Sequence, residues 1–212
     1  PFNSGVMNWM YNDIWGNATW SLVDYYLEKK PAYYAMKRAG KRRLVGFTLR
    51  RDGWYLHAVN DTAEVWSGEL SWSHVTLSGK TLAEHTQTVQ IAPFEQLSLP
   101  VAFDSSVKDA VLYARLGEND SIYFYDLWKD KSFTTDLSVE IKAEGCRAEV
   151  TVRANAFARM VFLDLPEGVE AELSDNYFDL LPGSVKKVTI LADRPITERE
   201  ITVNSYADDW TE

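Results

Sequence analysis

The apolar positions of this 212-residue chain keep three different rhythms. From Val6 to Met10 they are nearly continuous, with Asn8 the lone polar residue, which suits a strand buried on both faces. Asn12-Asp13 then breaks the run, a pair poor in strands and favourable in turns. The second rhythm is helical and spans Tyr26 to Ala39. Ala32, Ala35, Met36 and Ala39 recur at i, i+3, i+4 and i+7, so they predict a common buried face. Pro31 suits the first turn, where its missing N–H costs nothing, and Gly40 is a natural stop. Near residue 41 the period drops to two, the spacing of strands.

The first alternating set predicts strands over Arg43–Arg51, Trp54–Val59, Trp66–Leu77, Glu84–Ile91, Gln96–Phe103, Ala110–Leu116 and Ile122–Trp128. Asp52-Gly53 between two β-prone runs is a strong hairpin signal. Trp66, Leu70 and Trp72 share one strand face, and the apolar phase changes at Val75 and Leu77, which predicts a bulge near Ser73-His74. Seven short strands at this spacing predict an immunoglobulin-like sandwich. The polar Lys129-Asp130-Lys131 reads as a linker. A second set follows at Leu137–Ala143, Ala148–Ala154, Ala158–Leu163, Val169–Leu173, Val185–Leu191 and Glu200–Tyr206, with turns at Pro166-Glu167-Gly168 and Pro182-Gly183-Ser184. The expected fold is mainly β, with sandwiches over 41–130 and 131–212. A strand–helix piece over 1–40 precedes them, and its helix is expected to pack on the first sandwich.

Charge narrows the function classes. The net charge is −9, and from residue 131 onward nine basic residues face 16 acidic ones. Phosphate binding needs clustered Lys and Arg, so a nucleic-acid partner is not expected. Lys41-Arg42-Arg43 reads as a solvated turn beyond a helix C-terminus. Cys146 is the only cysteine, which leaves no intrachain disulfide and suggests an inert thiol, buried or half-buried at a strand start. His57, His74 and His85 lack metal-ligand spacing, so no metal site and no cofactor are expected. No apolar run reaches membrane-spanning length, and no membrane partner is expected. Asn17-Ala18-Thr19, Asn60-Asp61-Thr62 and Asn119-Asp120-Ser121 fit the glycosylation acceptor pattern, too short a pattern to decide anything.

The candidate chemistry lies at the start, where Trp9, Trp15 and Trp20 surround Asn12-Asp13. Aromatic faces beside amides and carboxylates suit a sugar, whose C–H faces stack and whose hydroxyls must be paired; the plain alternative is that such tryptophans fill a core. The run Trp9-Met10-Tyr11-Asn12-Asp13-Ile14-Trp15, followed by Trp20-Ser21 and Asp24-Tyr25, resembles the end of the catalytic barrel in glycoside hydrolase family 2 β-mannosidases. Asn60-Asp61 closing a strand, and Ser174-Asp175-Asn176-Tyr177-Phe178-Asp179-Leu180-Leu181-Pro182-Gly183, are similar to features of that family's following sandwiches. In the latter, Asp175-Asn176 and Asp179 read as turn makers whose side chains satisfy backbone N–H groups, with Tyr177, Phe178 and Leu180 as anchors.

The resemblance implies a C-terminal piece of a retaining exo-glycosidase. It would hold the last strand and helix of a (β/α)8 barrel and two immunoglobulin-like sandwiches, with the rest of the barrel and a carbohydrate as partners. Both catalytic glutamates would lie on earlier strands, so this chain by itself is expected to be inactive. Trp9 is the candidate stacking platform; Asn12 and Asp13 are candidate substrate contacts that turn capping would explain equally well. Two other readings stand beside it. One is the same region of an exo-β-glucosaminidase or β-galactosidase. The other is an autonomous carbohydrate-binding or adhesive module using Trp54, Trp66 and Trp72, although alternation places Trp66 and Trp72 on the core face.

Overall fold

A computed structural model describes residues 6–128, 131, 133–134 and 136–207. Of the expected linker, Lys129 and Asp130 fall outside the described residues.

Asp52-Gly53 does what its composition dictates. Strands β1 (Arg43–Arg50) and β2 (Gly53–Asn60) form an antiparallel hairpin closed by the Arg50–Gly53 pair, with Gly53 at φ +138°, a value that favours glycine. The sheet is completed by β5 (Gln96–Val101) along the far edge of β2. The opposing sheet has the order β4-β3-β6-β7, with β3 at Trp66–Thr76, β4 at Thr81–Ile91, β6 at Ala110–Leu116 and β7 at Asn119–Tyr123. Alternation turns Val45, Phe47, Leu56 and Ala58 toward Leu70, Leu112, Ala114 and Leu116, and these residues form one buried cluster.

The remaining strands are β8 (Leu137–Glu144), β9 (Arg147–Ala154), β10 (Ala158–Asp164), β11 (Ala171–Leu173), β12 (Phe178–Leu180), β13 (Val185–Ala192) and β14 (Thr202–Asn204). They form a sheet of order β11-β13-β9-β8 against one of order β12-β10-β14. Strand β12 was not expected, because three residues flanked by Asp175-Asn176 and Pro182-Gly183 give too little alternation to see. Both sandwiches are therefore antiparallel and mainly β, as alternation predicted.

Several expectations need correction. Val6–Met10 forms no strand: Val6, Met7 and Trp9 are 77%, 98% and 81% exposed. A strand apolar on both faces needs neighbours on both, and among the described residues none pairs with it. The helix, α1, spans Pro31–Ala39 and starts later than expected, because Leu27 takes φ +69° and Lys30 is extended. It packs on the C-terminal sandwich rather than the first: Tyr34, 3% exposed, joins the core cluster of Val150, Val161 and Val188. The face of Ala32, Ala35, Met36 and Ala39 is exposed instead. Cys146 is exposed too, since it shares the two-residue β8–β9 turn with Gly145, whose φ is +57°.

The bulge expected near Ser73-His74 is found in part. A register shift does occur between His74 and Val75, but only against β4; pairing with β6 runs unbroken from Leu70 to Thr76. Val75 keeps its alternation and points away from the first core. It is apolar because the C-terminal sandwich covers that face, where Val75 and Val111 meet Phe157 and Leu181. Arg159 of β10 adds to the junction, lying over the rings of Phe124 and Trp128 at 4.8 and 5.1 Å. Gly79 also lies at the junction: a Cβ there would sit 3.1 Å from Pro182 Cβ.

Candidate functional site

Residues 11–30 form a compact loop held by backbone bonds. Leu22 and Val23 donate to the Tyr11 carbonyl at 3.0 and 2.9 Å, Asp13 donates to Val23, and Lys30 donates to Leu22. Inside it Asp13 is 3% exposed. Its carboxylate receives Lys30 Nζ at 2.8 Å and the Thr19 hydroxyl, while Lys30 also donates to Ser21 Oγ at 2.6 Å. The Lys30 ammonium, then the Thr19 hydroxyl, hold the Asp13 carboxyl below its usual range. Asp13 is thus an ionised internal brace.

The other two candidates face outward. Trp9 stands exposed, joined to Met10 by a cis peptide bond. Asn12 is exposed and donates through Nδ2 to the Asp13 carbonyl at 3.2 Å. The structure therefore brings Asn12 and Asp13 together as chain neighbours with opposite orientations. Among the described contacts none joins the Trp9 ring to either. Trp15 and Trp20, 61% and 72% exposed, do not fill a core.

The partners of Asp13 escaped the sequence reading. One signal was there: Lys29 and Lys30 precede a helix whose first turn holds no acidic residue, the opposite of what the helix dipole favours. A cation in that place needs a specific anion, and Asp13 is it.

The segment Ser174–Gly183 is the second polar assembly. Asn176, 5% exposed, accepts from Leu163 N at 2.8 Å and Tyr177 N at 3.1 Å, and donates to Leu163 O at 3.1 Å. Its amide stands in for a peptide group beside β10. Asp179 accepts from Met160 N at 2.8 Å and pairs with Arg159. These are the turn-making roles expected of them. Asp175 does more: Arg38 of α1 reaches it at 2.5 Å and Lys186 at 2.9 Å. Arg38 also donates to the carbonyls of Asn176 and Tyr177, and Lys37 to that of Leu173. Burial opposes ionisation of Asp175, but Lys186 and Arg38 outweigh it and hold the carboxyl below its usual range.

On the first sandwich, Trp66 is buried and Trp54 packs edge-on to Phe103 and Tyr123 at 5.7 and 5.4 Å. Trp72 packs against the same core, so these tryptophans offer no platform. Asn60 is fully buried, donating to the carbonyls of Glu64, Ile91 and Ala92. That burial excludes it as a glycan acceptor in the folded chain. Among the described residues no group of three or more His, Cys, Asp or Glu could hold a metal, and no helix is long and apolar enough to cross a membrane.

Comparison with known proteins identifies the two sandwiches. A family model described as a mannosidase Ig/CBM-like domain matches residues 52–127, and a mannosidase Ig-fold domain matches residues 134–209. Each sandwich thus matches an immunoglobulin-fold domain family of mannosidases. β-Mannosidase B of Aspergillus clavatus is 27% identical over 90% of this chain and 26% of its own length. The β-D-mannosidase of Dictyoglomus thermophilum superposes with a TM-score of 0.81 at 22% identity, over 93% of this chain and 26% of that one. An exo-chitosanase of Amycolatopsis orientalis superposes at 0.68 with 16% identity, over 94% and 29%. The chain thus spans about a quarter of the length of these relatives.

Proposed function

We propose that this chain is the accessory C-terminal region of a retaining exo-glycosidase acting on terminal β-mannosides, and that it is inactive by itself. The observation that carries this reading is one likeness over about nine-tenths of the chain, to β-mannosidases about four times as long. Residues 1–40 would be the end of the catalytic barrel, 41–130 the first sandwich and 131–212 the second. Val6–Met10 would take its strand form between barrel neighbours, and the exposed face of α1 would be covered there. Trp9 stacks on the sugar and Asn12 contacts it from the loop. Asp13, clamped by Lys30, serves that contact from behind. A second reading, the same region of an exo-β-glucosaminidase, is supported by the exo-chitosanase superposition.

Retaining hydrolysis needs two carboxyl groups about 5–5.5 Å apart, one donating a proton and one forming the glycosyl intermediate. Asp13, Asp175 and Asp179 are each committed to a cation of this chain, which supports inactivity. The test assays the purified chain on aryl β-mannoside, β-galactoside and β-glucosaminide, beside the longer enzyme carrying it. No turnover by the chain, and preference for the mannoside by the enzyme, is expected. Turnover by the chain that vanishes in Asp13→Asn would overturn the proposal.

A further inference from the structure

The two polar assemblies are joined. Asp13 is bound to Lys30, Lys30 is the residue before α1, and α1 is bolted through Arg38 to Asp175 of the C-terminal sandwich. Every link is short and charge-assisted, and the helix between them is only nine residues long. Arg38 presents a fork: one nitrogen reaches Asp175 and the Asn176 carbonyl, the other the Tyr177 carbonyl at 3.0 Å. A fork on three acceptors fixes helix rotation as well as position. Lys186 holds the far oxygen of Asp175, so the carboxylate itself cannot swing. The first sandwich, although it follows α1 directly in sequence, supplies none of the described residues of the core cluster that holds Tyr34.

From this we propose that Asp175 and Arg38 are positioning residues for the candidate sugar loop: the C-terminal sandwich sets the placement of residues 9–24 through α1 and the Lys30–Asp13 pair. The role in catalysis rests on the reading of Trp9 given above; the mechanical link does not.

The link is tested on the 212-residue chain by hydrogen exchange. Asp175→Asn keeps the size of the side chain but removes the charge held by Arg38 and Lys186. The amides of Asp13, Leu22, Val23 and Lys30 are expected to exchange about tenfold faster, with those of β1 and β2 unchanged. Glu149→Gln, which removes an exposed pair with Lys187 on the same sandwich, is expected to change none of them. Faster exchange confined to α1, with the loop amides unaltered, overturns the proposal. A general loss of protection in β8–β9 also overturns it, since the effect would then be instability of the sandwich.

The catalytic role is tested in the full-length enzyme, with Trp9→Ala measured alongside. Asp175→Asn is expected to lower kcat/KM by roughly 10- to 100-fold, with KM raised, because a displaced platform weakens binding. A smaller folded fraction would lower kcat at fixed KM. Arg38→Lys is expected to recover part of the loss, keeping charge without the fork. If Trp9→Ala impairs the enzyme and Asp175→Asn does not, the positioning proposal fails. If neither does, the sugar-site reading of Trp9 fails, and the catalytic role of Asp175 fails with it.

Discussion

Residues 9–27 and 174–183 invert the usual relation between residue type and burial. Trp9, Trp15, Trp20 and Tyr26 are between 61% and 81% exposed, while Asp175 and Asn176 are 7% and 5% exposed. The polar pair is inside because each of its hydrogen-bonding groups meets a fixed partner: backbone of Leu163 and Tyr177, guanidinium of Arg38, ammonium of Lys186. Burying a polar group is costly only when it stays unpaired. The aromatics are outside because, among the described residues, no second layer stands over them. Burial therefore follows the neighbours a residue is given, and hydrophobicity decides it only where neighbours exist.

The comparison breaks most sharply at Asn176. Asn176→Ala removes one acceptor and one donor from the Leu163 peptide and is expected to cost about 2–4 kcal/mol in urea unfolding. A cost below about 0.5 kcal/mol would mean that water replaces the amide there, and the buried half of the contrast would fall.

Trp9 gives the opposite case and a smaller number. In this chain alone Trp9→Ala is expected to shift stability by less than about 0.5 kcal/mol, because an exposed ring loses no packing. In the longer glycosidase proposed above, the same change is expected to cost about 1–3 kcal/mol in kcat/KM, the scale of one large apolar contact. An unchanged kcat/KM would remove Trp9 from the sugar site, and a large stability loss in the isolated chain would show that it packs.

The smallest expected effect is a pH dependence that separates the two regions. Asp175 has a folded pKa lowered from 3.8, so its contribution to stability is complete above that value and is lost as pH falls through the folded pKa. Asp13 is lowered in the same direction. Acidification below about pH 4 is therefore expected to release both ends of α1, read as faster exchange of its amides. In Asp175→Asn the part due to the sandwich end should disappear and the part due to Asp13 should remain. Identical acid profiles in the two proteins would show that the Arg38 contact carries no pH-dependent stability.

Particular residues show how far the sequence reaches. Asp52-Gly53 specified its hairpin because the turn chemistry is local, and the alternation of β9 specified a strand because half-buried sheets impose a period of two. The turn role of Asn176 was legible in part for the same reason, since its side chain accepts from the adjacent Tyr177 N, whereas the bonds of Asn176 to Leu163 and of Asp179 to Met160 join distant segments. The three candidate sugar residues were legible as a motif, but their orientations were not. Asp13 turned inward because Lys30, 17 positions away, offers it a partner.

What the sequence determined by itself was the set of local preferences: two runs of alternating strands, a helix that stops at Gly40, and turns at glycine, proline and Asx positions. Only the tertiary structure decided which sandwich receives the helix. Two faces of α1 competed, the small apolar face of Ala32, Ala35, Met36 and Ala39 and the mixed face of Tyr34, Lys37 and Arg38. Periodicity favours the first. The second is the one buried, because Asp175 and the carbonyls of Leu173, Asn176 and Tyr177, more than 130 positions further on, converge where that face arrives. In the same way Val75 is apolar for a neighbour that lies beyond its own sandwich. Complementarity between distant segments has no period along the chain, so it is settled only when folding brings the segments together.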